Sequence, residues 1–129
     1  MANNHVRHGF GTVRPYLYGP YELPGFLASV FDAREIGRHE APGRRAAHVE
    51  LAIGDGMVVV EAGKMPPEVN PTEASVYVYV EDVDAAYRRA LDAGAEAITA
   101  PEDKPYGERG CGFRACGNTW WVATHLGTG

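Results

Sequence analysis

The sequence predicts an α+β fold in which two βαβββ modules form curved mixed sheets around a cavity. The first observation is the length, since 129 residues fall within the roughly 100–150 residues of a typical domain. The second is a repeat, because the alternating pattern of residues 13–18 recurs about 61 positions later, at residues 74–79. The third is that a helical stretch and then extended segments follow each copy.

These observations also predict the domain organisation. We expect a single domain over residues 1–129, with module one at about 12–63 and module two at about 74–126. The stretch 64–73 between them contains three prolines and has no periodicity, so we interpret it as the linker between the modules.

Composition and charge exclude several classes of partner. The chain has 17 acidic and 12 basic residues and a net charge of −5, whereas nucleic acids and anionic membranes require a basic face. We therefore expect no nucleic-acid and no membrane partner, and a cationic or neutral ligand instead. No apolar run reaches the roughly 18–20 residues of a membrane span, and residues 1–12 lack the apolar core of a secretory signal. A cytoplasmic location is therefore predicted.

Module one begins with a strand and a short apolar helix. The strand at residues 13–18 ends at a Gly-Pro break, and residues 21–31, rich in Leu, Phe and Val, follow as the helix. Alternation over residues 46–53 predicts a strand that turns at a Gly-Asp-Gly sequence into the apolar run 57–60. This combination is typical of a β-hairpin.

Module two repeats this order after the strand at residues 74–79. Asp82 is a suitable N-cap for the second helix, and Gly94 is placed to end it. Residues 97–99 are expected to be extended, the Pro- and Gly-containing stretch 101–110 to be a loop, and residues 112–126 to form a closing hairpin that turns at a Gly-Asn pair.

Alternation also assigns the side chains to the two faces of each strand. Val76, Val78 and Val80 share a face that should pack under the helices, as does Leu17 in module one. The opposite face collects Tyr16, Tyr18, His48, Glu50, Tyr77, Tyr79 and Trp121. This set is too aromatic for plain solvent and too polar for a plain core, so a curved sheet would make it a ligand cavity. The alternative is a flattened sheet in which the tyrosines pack together and their hydroxyls reach water.

The sequence resembles the glyoxalase/bleomycin-resistance superfamily, also called vicinal oxygen chelate. The motifs that carry the resemblance are FDARE at 31–35, HVELAIGD at 48–55, VEDVDAAY at 80–87, RALDAGA at 89–95, YGER at 106–109 and GNTWWVATH at 117–125. Together they cover most of residues 13–126. The resemblance implies sheets that curl into a U-shaped cavity, commonly completed in a homodimer, and it says little about the substrate.

The resemblance also implies where a metal ion would bind. Metal-dependent members place His or Glu ligands on the first, fourth, fifth and eighth strands, and by position these sites fall on Arg14, Glu61, Ser75 and Trp121. Only Glu61 is suited to be a ligand, because a guanidinium has no lone pair to donate and an indole offers only an N–H. We therefore predict no cofactor. A divalent ion, if bound, would use a substitute site of His48, Glu50 and Glu61.

The candidate site is a ligand-binding site for which we assign no catalytic residue. Its expected members are Arg14, Tyr16, Tyr18, His48, Glu50, Tyr77, Tyr79, Tyr106, Arg109 and Trp121. We interpret His5 and His8 as solvated and His125 as an edge residue. Cys111 and Cys116 are interpreted as free thiols, because their spacing matches no metal or redox pattern.

The leading hypothesis is a metal-independent binding protein that sequesters a planar aromatic or cationic small molecule, as bleomycin-type resistance members do. The alternative is a metal-dependent lyase, isomerase or dioxygenase with a nonstandard metal site. A structural or regulatory homodimer without a small ligand is the third possibility.

Overall fold

Two α-helices and eight strands, in the order β-α-β-β-β repeated twice, make up the fold of the described residues. The computed structural model describes residues 5–63 and 73–127, so the predicted linker lies almost wholly outside the described residues. Module one contains β1 (Tyr16–Gly19), α1 (Leu23–Phe31), β2 (Arg34–Glu40), β3 (Ala47–Ile53) and β4 (Gly56–Ala62). Module two contains β5 (Ser75–Tyr79), α2 (Val83–Asp92), β6 (Glu96–Lys104), β7 (Glu108–Ala115) and β8 (Asn118–His125).

Each module forms one four-stranded mixed sheet, which confirms the predicted fold class. The strand order is β1-β4-β3-β2 in the first sheet, called sheet A here, and β5-β8-β7-β6 in the second, called sheet B. The first strand of each module runs parallel to its neighbour, and the other pairs are antiparallel. A parallel pair requires a long crossover, which the helix and the next two strands of each module provide.

Both helices begin where the sequence provides a start signal. In α1 a proline occupies the first turn, where a missing N–H costs nothing, and Leu23, Leu27 and Val30 are fully buried. In α2 the Asp82 side chain accepts the Ala85 N–H at 3.0 Å, as predicted for an N-cap. None of the helices in the described part of the chain is long and apolar enough to cross a membrane.

An aromatic cluster joins the two modules in a single core. Phe26 and Phe31 of α1 lie against Phe113 of β7, each with a ring-centroid distance of 6.3 Å. Trp120 of β8 completes the cluster, 5.6 Å from the Phe31 ring, and has no exposed surface. The helix of module one therefore packs on strands of both modules, and the two modules share one core.

Three element boundaries differ from those predicted. Strand β1 begins at Tyr16 and not at Val13, which is 88% exposed; Pro15 lacks the N–H that a paired strand residue donates. The predicted loop 101–110 is mostly strand, since β6 continues to Lys104 and β7 begins at Glu108. The proline that suggested a loop lies on β6, an edge strand, where a missing donor is tolerated.

Two further differences concern the hairpins. The β7–β8 turn is centred on Cys116 and Gly117, with φ of 53° and 78°, one position earlier than the predicted Gly-Asn pair. Strand β2 was expected as an extended segment, but no pattern located it, because its sequence is mostly charged and its side chains lie at an exposed sheet edge.

Candidate functional site

Each sheet has one face under the helices and one open face. Leu17, Val49, Val60, Val78, Trp120 and Val122 point to the helix side and are buried, as alternation predicts. The opposite side chains form the open faces: Tyr16, Tyr18, His48, Glu50 and Glu61 in sheet A, and Tyr77, Tyr79, Glu108, Trp121 and His125 in sheet B. Tyr16, Tyr77 and Tyr79 are exposed by 50%, 51% and 61%. Exposed tyrosines at this density are typical of a surface that receives a partner molecule.

A row of polar side chains crosses the open face of sheet A. The strand register aligns Tyr18 with Glu61, Glu61 with His48, and His48 with His39. His48 Nδ1 lies 3.1 Å from Glu61 Oε1, and the Tyr16 ring lies 5.2 Å from that of Tyr18. Partial burial and the nearby Glu61 carboxylate raise the pKa of Tyr16 to about 12. This tyrosine is therefore a neutral hydroxyl at physiological pH.

Glu50 anchors the N-terminal segment on this face. Its carboxylate is 6% exposed and lies 3.0 Å from Arg7 Nε, 3.4 Å from an Arg14 guanidinium nitrogen and 3.6 Å from His8 Nε2. Arg14 also donates to the backbone carbonyl of Gly11 at 2.7 Å. His8 is exposed, as predicted, although its ring lies near this carboxylate. Glu50 therefore holds this segment against the open face of sheet A.

A carboxylate–tyrosine cluster lies on the open face of sheet B. Tyr77 and Tyr79 donate their hydroxyls to the two oxygens of Glu108, at 2.6 and 2.7 Å. These hydrogen bonds lower the pKa of Glu108 and raise the pKa of both tyrosines. His125 Nδ1 lies 3.7 Å from Glu108 Oε2. At neutral pH the cluster therefore holds one carboxylate negative and both phenols neutral.

The remaining predicted members lie in different surroundings. Trp121 is paired in register with Tyr77, and its ring covers Gly112, where any Cβ would collide with it. Tyr106, 59% exposed, lies close enough to raise the pKa of Tyr77 and Tyr79. Arg109 instead donates to Asp84 of α2 at 2.8 and 3.0 Å. The structure therefore places Arg109 on the helix side, apart from the tyrosines.

The predicted aromatic wall is divided into two surfaces, one on each sheet. The ring contacts of Tyr16 are with Tyr18 and His48, and that of Tyr77 is with Tyr79, so each stays within its own sheet. Sequence reasoning missed Glu108, which it placed in a loop, and His125. Strand alternation continued four residues back from Gly112, and four residues on from Trp121, would have placed both on the open face.

The residues at the family's metal positions do not fit a metal ion. Arg14 precedes β1 and is bonded to Glu50 and to backbone carbonyls, and Trp121 offers no lone pair. Of the substitute set, Glu50 is paired with arginines, which leaves His48 and Glu61. Among the described residues, no three His, Cys, Asp or Glu side chains are arranged to hold a metal. We therefore derive no step through a metal.

The duplicated strand–helix–three-strand plan and the paired open faces define a class of protein built of βαβββ modules. A family model matches residues 25–122, and the chain belongs to the Glyoxalase/Bleomycin resistance protein/Dioxygenase superfamily. The resemblance noted in the sequence is thereby confirmed.

Solved structures show the same fold. TioX from Micromonospora sp. ML1 is 30% identical with a TM-score of 0.69, covering 88% of this chain and 99% of TioX. The fosfomycin resistance protein FosX from Listeria monocytogenes is 17% identical with a TM-score of 0.62, covering 89% and 93%. Another structure of that FosX is a complex with Mn(II) and sulfate. At this identity FosX supports the fold alone.

Curated relatives come from mycobacteria. Uncharacterised proteins of Mycobacterium bovis and Mycobacterium tuberculosis are each 36% identical over 93 residues, or 65% of this chain. The match covers 61% of the first and 55% of the second. The chain therefore spans little more than half the length of these relatives.

Proposed function

We propose that the protein is a metal-independent binding protein that sequesters a planar aromatic or cationic small molecule. The observation that carries the proposal is the pair of open faces with exposed tyrosines, on one of which Tyr77 and Tyr79 donate to the carboxylate of Glu108. Each stacked ring contributes about 0.5–1.5 kcal/mol and each cation–π contact about 0.5–2 kcal/mol. Several such contacts are enough for useful affinity.

The complete cavity, in this proposal, forms in a homodimer. Each open face supplies one side of the cavity, and the aromatic ring contacts within one chain do not connect the face of sheet A with the face of sheet B. A twofold axis that sets sheet A of one copy opposite sheet B of its partner would create two identical cavities. The family resemblance, with its commonly dimeric members, supports the same arrangement.

A mixing experiment tests both parts of the proposal. One variant carries Tyr16→Ala and Tyr18→Ala, the other Tyr77→Ala and Tyr79→Ala, and each is expected to lose binding of flat aromatic compounds, measured by thermal shift and tryptophan quenching. Co-refolded chains should regain about a quarter of the wild-type cavities, because each mixed dimer pairs two intact faces at one of its two cavities.

Two outcomes would contradict the proposal. Recovery that stays at zero, while the wild-type protein binds, would mean that both faces act within one chain. If the wild-type protein binds none of a panel of flat aromatic and cationic compounds, the binding function itself is wrong.

The alternative, a metal-dependent lyase, isomerase or dioxygenase, is favoured by one observation, the His48–Glu61 pair at 3.1 Å on the open face. Elemental analysis of protein purified without chelators tests it. A stoichiometric divalent ion that is lost in Glu61→Ala would favour the enzyme over the binding protein.

A further inference from the structure

We infer that Glu108, Tyr77, Tyr79 and His125 form a subsite for an organic cation on the open face of sheet B. The inference rests on the proposed binding function and makes it more specific, because it assigns the charge of the ligand and the sheet that receives it.

The strands shape this subsite by leaving space at its centre. Tyr79 on β5 is in register with Ala123 on β8, and Ala123 is in register with Gly110 on β7. Beyond the tyrosine, β8 and β7 carry nothing larger than a methyl group in this row, so the two rings can extend across β8 to Glu108. Glu102 of the edge strand β6 ends the row and is bonded to Lys104. Glu108 itself is paired with His125 at the end of the hairpin. The result is a carboxylate framed by two tyrosine rings 5.5 Å apart.

Hydrogen bonding fixes which kind of ligand group the subsite accepts. Each tyrosine hydroxyl has one proton and two acceptor lone pairs, and both protons are directed to Glu108 at 2.6 and 2.7 Å. The exposed sides of these hydroxyls can therefore only accept hydrogen bonds. A ligand with N–H donors matches this surface, whereas a carboxylate or phosphate does not.

The charge of Glu108 lacks a permanent cationic partner among the described residues. Over residues 5–63 and 73–127, Glu35, Glu50 and Asp84 each face an arginine. The ion-pair partner of Glu108 is His125 alone, at 3.7 Å, although the Glu108 side chain is only 12% exposed. A carboxylate this enclosed gains from a cation, and the adjacent ring faces attract the same charge.

Sheet A is a poorer place for the cation, although its open face also holds two tyrosines, a histidine and a glutamate. The N-terminal segment brings Arg7 and Arg14 onto that face around Glu50. Their positive charges offset those of Glu50 and Glu61. On sheet B, Lys104 is in register with Glu108 but pairs with Glu102 at 2.7 Å, which leaves the charge of Glu108 to a ligand. The subsite is therefore assigned to sheet B.

Three flat fluorescent probes of similar size test the inference: proflavine (a cation), acridone (neutral) and anthracene-2-sulfonate (an anion). Binding to the full chain is measured by fluorescence anisotropy. Glu108→Gln preserves the shape of the side chain and removes its charge. The matched control is Glu96→Gln, because Glu96 lies at the end of β6 that is away from Glu108 and its side chain is 77% exposed. Glu61→Gln tests the carboxylate of sheet A.

Proflavine is expected to bind most tightly, to weaken about tenfold in Glu108→Gln, to weaken less in Glu61→Gln, and to change less than about twofold in Glu96→Gln. Acridone should bind wild type and Glu108→Gln equally. If all probes bind with equal affinity, or if Glu61→Gln rather than Glu108→Gln weakens proflavine, the subsite is wrong while the binding function stands. If no probe binds wild type, both proposals fail.

Discussion

At the scale of single residues, Glu50 shows how one buried carboxylate can position a whole segment. Its carboxylate contacts Arg7, His8 and Arg14, which all precede β1, and holds them over the open face of sheet A. The segment also packs closely there, since a Cβ on Gly11 would lie 2.7 Å from the Met57 side chain. Removing the carboxylate should therefore loosen the segment more than the sheet.

We expect Glu50→Ala to lower the free energy of unfolding by about 1–3 kcal/mol, because charged hydrogen-bond donors lose their acceptor. Urea unfolding measures this loss, and hydrogen exchange should rise first at residues 7–14. Glu35→Ala, which removes an exposed ion pair with Arg38, is the control and should cost under about 1 kcal/mol. Equal effects of the two substitutions would contradict this role of Glu50.

The backbone conformation of Cys116 also predicts an effect on the free energy of unfolding. Its φ of 53° is left-handed, and that of Gly117 is 78°, which is the combination a two-residue type I′ turn requires. Asn adopts this conformation more readily than Cys, so Cys116→Asn should raise the free energy of unfolding by about 0.5–1 kcal/mol. Gly117→Ala should lower it. A Cys116→Asn protein that is less stable in urea would mean that the packing of the thiol outweighs the turn preference.

At the scale of elements, edge strand β5 is fastened to its sheet by the two residues before it, Glu73 and Ala74. Glu73 accepts hydrogen bonds from Arg114 of β7, at 3.1 Å in one case, and from Thr119 of β8. The Asn118 side chain adds a bond from the Ala74 N–H at 3.0 Å. Three positions of the β7–β8 hairpin therefore hold the start of β5, which is the strand that presents Tyr77 and Tyr79.

This fastening predicts a pH dependence of stability. Arg114 and then Thr119 lower the pKa of Glu73 from 4.5 to about 2. The folded state therefore favours the ionised carboxylate, so its stabilising contribution is complete above about pH 4.5 and is lost as the pH falls towards 2. In thermal unfolding scans from pH 6 to pH 2, Glu73→Gln should show a smaller decline of Tm than wild type. Glu81→Gln, at an exposed site, should decline as wild type does.

At the scale of the whole molecule, the shared aromatic core makes the two modules one cooperative unit. Phe113 has no exposed surface and contacts both aromatic residues of α1 from the other module. Phe113→Ala should cost roughly 3–5 kcal/mol. Far-UV and near-UV circular dichroism should still report one coincident transition, because the two modules share one core. Two separated transitions would show that the modules fold independently.

Much of this fold was predictable from local pattern. The duplicated modules, the Asp82 cap, the β3–β4 hairpin and the division of Val78 from Tyr77 and Tyr79 all follow from periodicity over a few residues. Strand β2 was not located, because its charged sequence forms a strand only through pairing with β3. The prediction of a loop at residues 101–110 was also wrong because of strand pairing, since β6 lies at the sheet edge, where a proline is tolerated inside a strand.

The α+β class, the doubled βαβββ plan and the face on which each strand side chain lies follow from the amino-acid sequence, because they depend on neighbours close in the chain. Contacts between residues far apart in the chain became visible in the fold alone. The fold places the tyrosines in two clusters and pairs Glu50 with the arginines of the N-terminal segment. It also brings Glu108 within hydrogen-bond distance of Tyr77 and Tyr79, which lie 31 and 29 positions away in the chain. Such pairings depend on strand order and register, which local periodicity does not encode.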